Sequence, residues 1–249
     1  MTEARNNLDT RHEVVLPDFT DITERGLYVP ELEHDACGVG MVANITGKRT
    51  HKIIDQALEV LVNLGHRGAA GADPLTGDGA GMTIQIPDDF MRNVAEQEGF
   101  TLPGERRYGV AMCFLPNDDA LNAAARAALE LAATENGMRV LGGRNVPNNP
   151  DAIGVTARAI MPRIAQLFVS APDGVEGDDF ERSLYLARKT AEKQFLYAET
   201  DPETRKVLLR EFYVCSWSSR TLIYKGMLLI DQLGEFFPDL HNPRMVTAF

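Results

Sequence analysis

The chain changes character once, abruptly, at Cys37. Residues 1–36 are polar and charged, contain Pro17 and Pro30, and hold neither a helical nor a strand period long enough to form an element. Directly after the cysteine runs Gly38-Val39-Gly40-Met41-Val42-Ala43-Asn44-Ile45, a short apolar stretch dense in glycine that predicts a buried strand. The chain therefore reads as a leader over 1–36 followed by a folded domain over 37–249, with a cysteine at the boundary. The leader lacks the basic start, apolar core and small-residue cleavage pattern of a secretory signal.

Beyond the boundary the periodicities alternate. Ile53, Ile54, Ala57, Leu58, Leu61 and Leu64 recur at three- and four-residue intervals, predicting a helix over 50–64 with Thr50 as its cap, packed on a sheet. Residues 65–81 carry Gly65, Gly68, Gly71, Gly77, Gly79, Gly81 and Pro74 among few apolar residues, so they read as a long irregular loop, the kind that concentrates function. Strands are expected over 82–86, 108–115, 139–144 and 164–169, and helices over 88–98 and 180–199. Asn117 is the expected cap of an alanine-rich helix reaching Asn136, with Gly137 at its end. Residues 145–153 read as a turn-rich linker and the acidic stretch 173–179 as a solvated loop. Residues 213–217 and 221–224 are expected to pair as strands across Ser218-Ser219-Arg220. Strands and helices mixed in this way imply α/β or α+β layers.

Composition narrows the function classes. Twenty-five Lys and Arg against 36 Asp and Glu leave a net charge of −11, the wrong sign for broad contact with nucleic-acid phosphates. The longest apolar runs, 39–43 and 227–230, fall far short of the ~20 residues of a membrane span. Cys37, Cys113 and Cys215 stand far apart with no CxxC pair, which builds neither a disulfide framework nor a zinc ribbon and places the chain most simply in a reducing cytoplasm. Five histidines show no metal-ligand spacing, so no metal site is expected. Cys113 and Cys215 lie in apolar strands and read as core residues. The glycines at 77, 79 and 81 are followed by no GK[ST], so they read as turns rather than a phosphate loop.

Cys37 carries the chemistry. Were the chain cut between Ala36 and Cys37, one residue would hold both a thiol and a free α-amine titrating near ~8. It would then supply nucleophile and base together, as an amino-terminal threonine does. In the uncut chain the peptide nitrogen has no basic lone pair, so that mechanism is closed. His66 reads as a loop-packing residue, since a cysteine with its own amine needs no second base.

Three ordered blocks carry a resemblance. His34-Asp35-Ala36-Cys37-Gly38-Val39-Gly40 resembles the start of the mature glutaminase domain of glutamate synthase large subunits, which are class II glutamine amidotransferases of the amino-terminal-nucleophile hydrolase type. The loop Asn63-Leu64-Gly65-His66-Arg67-Gly68-Ala69-Ala70-Gly71-Ala72-Asp73-Pro74-Leu75-Thr76-Gly77-Asp78-Gly79-Ala80-Gly81 resembles the one that follows that family's first helix, and it is the most specific block. The stretch from Phe212 to Leu228 resembles its later strand pair.

The resemblance implies an α+β fold, a four-layer αββα sandwich, of which this chain is the first part, and a leader over 1–36 that is removed. It implies that Cys37 attacks the glutamine side-chain amide, freeing ammonia and leaving a glutamyl thioester that water cleaves. Arg67 and Gly68 match the pair beside the nucleophile, the arginine orienting the amino-terminal residue. In the family, ammonia passes through a tunnel to other domains, where it adds to 2-oxoglutarate and the product is reduced to glutamate. FMN and an iron–sulfur cluster serve that step, with NADPH or ferredoxin as reductant and a small NADPH-oxidising subunit among the partners. No cofactor is expected in this segment. The family's oxyanion-hole Asn-Gly, in a His-Asn-Gly-Glu context, does not occur here; the one Asn-Gly, Asn136-Gly137, ends a predicted helix. The domain is expected to continue past Phe249, so the chain alone is expected to expose apolar strand edges. Two alternatives stand beside this reading: an inactive or scaffolding fragment without an oxyanion hole, and a different class II amidotransferase feeding another acceptor.

Overall fold

A computed structural model describes residues 38–65, 72–198 and 201–249. The chain divides into two units, Met1–Cys37 and Gly38–Phe249, and every described residue lies in the second; the leader expected over 1–36 lies outside the described residues. In chain order the elements are α1 (Lys52–Asn63), β1 (Ala80–Gln85), α2 (Asp88–Gln97), β2 (Tyr108–Leu115), α3 (Asp119–Glu135), β3 (Arg139–Asn145), α4 (Val155–Ala159), β4 (Arg163–Ser170), α5 (Gly177–Ala198), α6 (Pro202–Glu211), β5 (Tyr213–Ser218), β6 (Thr221–Gly226) and α7 (Gln232–Phe236).

Two antiparallel sheets form the middle of the unit. One has four strands in the order β3-β4-β2-β5, and the other pairs β1 with β6. Strand β2 is apolar at nearly every position because it is covered on both faces. Tyr108, Val110 and Met112 point into the core between the sheets, while Ala111, Cys113 and Leu115 point into the core under α3 and α5. The inter-sheet core takes Met82 and Ile84 from β1 and Leu222 and Tyr224 from β6. Helix α1 joins the same core through Ile54, with Ala57, Leu58 and Leu61 packed against it. Helices α3 and α5 thus cover one face of the four-stranded sheet and the two-stranded sheet packs on the other, in keeping with the α+β, αββα class.

The outer interface is made close by small residues. Ala125, Ala132 and Ala133 of α3 face Ala187 and Ala191 of α5, all fully buried. Gly109 lets α5 approach β2, since a Cβ there would sit 2.6 Å from Leu184 Cδ2. The alanine-rich helix ends as its sequence predicts, with Gly137 at φ +76. Its cap is displaced by one residue: Asp118, in extended conformation, accepts from the Leu121 N–H at 2.9 Å, while the Asn117 amide donates to the Met161 carbonyl.

Other expectations are corrected. Residues 38–45 form no strand: Val39, Met41 and Ile45 are 85, 85 and 100% exposed. An apolar run becomes a strand only where a neighbouring edge takes up its ladder, and among the described residues no strand pairs with 39–43; Asn44 N–H donates to the Ala248 carbonyl at 2.7 Å. Thr50 is not the cap of α1, because its backbone is committed to an antiparallel bridge with Thr247. Strands β5 and β6 do not pair with each other. Glu181 of α5 accepts from both the Ser218 and Ser219 hydroxyls and the Ser219 N–H, and Ser218 Oγ accepts from the Arg220 and Thr221 N–H groups. That corner sends β5 to one sheet and β6 to the other. The linker 145–153 contains a 3-10 turn, Pro150–Ala152, and the acidic loop 173–179 already enters α5 at Gly177.

Candidate functional site

Cys37, Arg67 and Gly68, with His66, lie outside the described residues. The structure shows instead how the chain is held on leaving the glycine-rich loop. At Asp73-Pro74-Leu75-Thr76 it makes a turn closed by Thr76 N–H to the Asp73 carbonyl at 3.0 Å, with Asp73 Oδ1 accepting from the Leu75 N–H at 3.1 Å. Proline presets the backbone at the second position of such a turn and aspartate accepts from the residue two ahead.

The same aspartate reaches a distant element. Its Oδ2 accepts from the Thr76 hydroxyl at 2.8 Å and from the Thr156 N–H at 3.0 Å. Thr76 Oγ accepts in turn from the Ala157 N–H at 3.3 Å. These are amides of the first turn of α4, which has no side-chain cap of its own; residues some eighty positions earlier satisfy them. The N-cap position is Gly154, whose φ of −65° any residue can adopt. Glycine is needed there for space, as a Cβ would lie 2.3 Å from Asp73 Oδ2 and 2.6 Å from Thr76 Oγ.

The limb is held on its other side too. Leu75 carbonyl accepts from Gly154 N–H and from Gln232 Nε2, both at 2.9 Å. Gln232 is buried, and its Oε1 accepts from the Leu229 N–H at 2.8 Å, so both ends of the amide are used. Gly77 then runs against the backbone of Leu228, with a Cβ position 2.3 Å from that carbonyl. Three donors, the Thr156 N–H first, then the Thr76 hydroxyl and the Leu75 N–H, hold the Asp73 carboxyl below its ordinary 3.8. Whatever this carboxylate contributes is complete above pH 3.8 and is lost as pH falls through its lower folded value.

The C-terminal residues close against the start of the described chain. Thr247 is fully buried, its Oγ accepting from Gln85 N–H and donating to the Phe249 carbonyl, while Ala248 N–H donates to Gln85 Oε1 at 2.9 Å. His51 Nδ1 donates to the Met245 carbonyl at 2.8 Å.

Between the sheets sits a buried charge pair. Arg144 donates to Asp239 at 2.5 Å and to Gln166 Oε1 at 2.8 Å, and the Tyr224 hydroxyl donates to Asp239 at 2.9 Å. Burial first, then the Asp239 charge, raises the Tyr224 phenol well above its ordinary value, so it stays a donor. The cluster ties β3, β4 and β6 to the 3-10 turn Pro238–His241. Cys113 and Cys215 are core residues: burial, reinforced by Cys215, pushes the Cys113 thiol up to about 12, and burial raises Cys215 as well. Both stay protonated and unreactive. Asn136-Gly137 is a helix end, Asn136 Nδ2 donating to the Ala132 carbonyl. Among the described residues no group of three His, Cys, Asp or Glu side chains could hold a metal, and no helix is long and apolar enough to cross a membrane.

Sequence reasoning missed Asp73, Thr76, Gly154 and Gln232. The Asp-Pro turn was legible locally, but the partners of its carboxylate lie too far along the chain for any spacing to announce them.

Comparison with known proteins adds the family. The model of the class-II glutamine amidotransferases matches residues 37–249. The glutamate synthase (NADPH) large chain of Bacillus subtilis is 40% identical over 226 residues, covering 90% of this chain and 14% of its own length. Ferredoxin-dependent glutamate synthase 2 of Synechocystis is 40% identical over 217 residues, 87% of this chain and 13% of its own. The chloroplastic ferredoxin-dependent glutamate synthase 2 of Arabidopsis thaliana is 37% identical over 233 residues, 93% of this chain and 14% of its own. The chain thus spans about one seventh of the length of these relatives.

Proposed function

The chain belongs to the class-II glutamine amidotransferases, and from that premise we propose that it is the glutaminase module of a glutamate synthase, with Cys37 as nucleophile. The observation that supports the reading is where the family match begins: at Cys37, the residue at which the polar composition of 1–36 ends. Cleavage after Ala36 frees the α-amine of Cys37. That amine takes the thiol proton as sulfur attacks the side-chain amide carbon of L-glutamine, and it returns the proton to the departing nitrogen. Ammonia leaves, a glutamyl thioester remains, and water activated by the same amine releases glutamate and the thiol. Arg67 orients the amino-terminal residue, with Gly68 beside it.

In this reading the ammonia serves reductive amination of 2-oxoglutarate in the remainder of a longer cytoplasmic polypeptide. FMN and an iron–sulfur cluster would supply electron transfer there, from NADPH or ferredoxin, with a small NADPH-oxidising subunit as a partner in the NADPH case. The described residues do not fit the cluster, since Cys113 and Cys215 are buried in two different cores, so no step on this chain runs through it.

The test is an intact mass of the protein from its own cells, followed by glutaminase assay of the wild type and Cys37→Ala. The expected results are an amino terminus at Cys37 and glutamate release that drops to background in the variant. Glutamine hydrolysis by a chain still starting at Met1, or by Cys37→Ala, would overturn the mechanism.

A further inference from the structure

We infer that Asp73 and Thr76 are positioning residues for glutamine hydrolysis, fixing through their contact across Gly154 the point at which the chain leaves the glycine-rich loop. The inference rests on the glutaminase reading above, because it assigns these side chains a role through Arg67 and Gly68. Asp73 follows Arg67 by six residues and Gly68 by five, within the same glycine-rich stretch of the sequence.

Several features indicate a built anchor rather than an incidental loop contact. The Asp73 carboxylate collects three donors, and one of them, the Thr156 amide, lies 83 residues away. Thr76 uses its hydroxyl in both directions, donating to Asp73 and accepting from the Ala157 N–H. Gly154 leaves no room for any side chain between them, although its backbone conformation would accept one. Gln232 donates to the Leu75 carbonyl as well. A five-residue helix could be capped by one local serine or aspartate. Here the capping groups come from the loop that carries the expected site residues, so the helix holds the loop as much as the loop caps the helix. Position matters because reaction rates depend steeply on the placement of orienting groups.

The discriminating variants are Thr76→Val, which keeps the shape and removes the hydroxyl, Thr76→Ser, which keeps the hydroxyl, and Gly154→Ala, which drives a methyl into the contact. Each is made in the full-length polypeptide with Cys37 at its amino terminus. Thr76→Val and Gly154→Ala should lower kcat for glutamine by about 10- to 100-fold with KM changed much less, and Thr76→Ser should restore most of the loss. Labelling of Cys37 by a glutamine-shaped diazoketone, 6-diazo-5-oxo-norleucine, should slow in parallel with kcat, while alkylation by iodoacetamide, which needs no oriented substrate, should hold. Amide exchange at Leu75, Thr76, Thr156 and Ala157 should quicken in the two disruptive variants. Wild-type kcat in Thr76→Val despite faster exchange would overturn the positioning role. So would equal slowing with both reagents, which would mean general damage to the thiol's surroundings. A wild-type polypeptide that neither hydrolyses glutamine nor takes the diazoketone would sink the glutaminase reading and this role with it, whereas the exchange data would still report the contact itself.

Discussion

The outer layer and the inner, loop-bearing side of this fold are stabilised by different means. Under α3 and α5 the interface is apolar and fine-grained: alanines meet alanines, Gly109 admits Leu184, and both ends of α3 are finished by a neighbour in sequence, Asp118 before it and Gly137 after it. On the inner side the ties are polar and long in sequence. Asp73 caps α4 from 83 residues away, Gln232 holds Leu75 across 157, and Gln85 holds Ala248 across 163. Packing of small side chains fixes a surface against a surface and tolerates little local shape. Directed hydrogen bonds fix a backbone segment at a point, which is what a loop carrying functional residues needs.

The contrast is sharpest at the buried pair Arg144–Asp239, whose side chains are only 5 and 7% exposed. Removing one partner strands the other charge between the sheets. Arg144→Ala should therefore cost about 3–5 kcal/mol in urea unfolding. Replacing both, Arg144→Met with Asp239→Leu, should give a protein more stable than either single variant. If the double variant is instead the least stable of the three, the pair contributes net stability and the inner side is not a region of costly, position-fixing polar contacts.

What could be read from the sequence follows the same divide. Strand β2, the alanine-rich helix with its terminal glycine, and β3 and β4 were legible because their signals are local: an apolar run of the right length, a helical period, a glycine suited to positive φ. The four-layer arrangement was legible through the family blocks rather than through periodicity. The strand expected over 38–45 failed because composition reports willingness to pair and not the presence of a partner edge. The β5–β6 hairpin failed because Glu181, on a helix more than thirty residues earlier, captures the Ser218-Ser219 corner. Helix α4 was invisible since its caps are Asp73 and Thr76. Helix α6 went unread although its start signal is local: Asp201 caps it, accepting from the Thr204 N–H at 2.8 Å, with Pro202 in its first turn. Of the expected site, Cys37, Arg67 and Gly68 came from motif and lie outside the described residues, while the Asp73–Thr76 contact with α4 needed three-dimensional structure to be seen.

A smaller effect tests the outer layer. Asp118 is a local cap whose carboxylate, among the described residues, accepts from the Leu121 N–H, so Asp118→Ala should cost about 1 kcal/mol, read as a modest drop in thermal midpoint with no change in glutamine hydrolysis. A loss several times larger would mean that α3 is nucleating the outer layer, and that local signals there carry more than their own hydrogen bond.

The smallest effect should come from the outer helix's solvent face, at Arg182 and Asp179 of α5. Their side chains meet at 2.6 Å, a shorter contact than many in the interior, and both remain largely exposed. Distance alone would rank this pair beside Arg144–Asp239. The physics separates them, because in water the attraction is screened and ordering two mobile side chains offsets most of the gain. Arg182→Ala should shift stability by less than about 0.5 kcal/mol, and that shift should vanish in 1 M salt. A salt-insensitive loss above about 1 kcal/mol would show that the arginine's alkyl stem, and not its charge, supports α5. Two ion pairs of nearly equal length would then differ for a reason of packing rather than of burial.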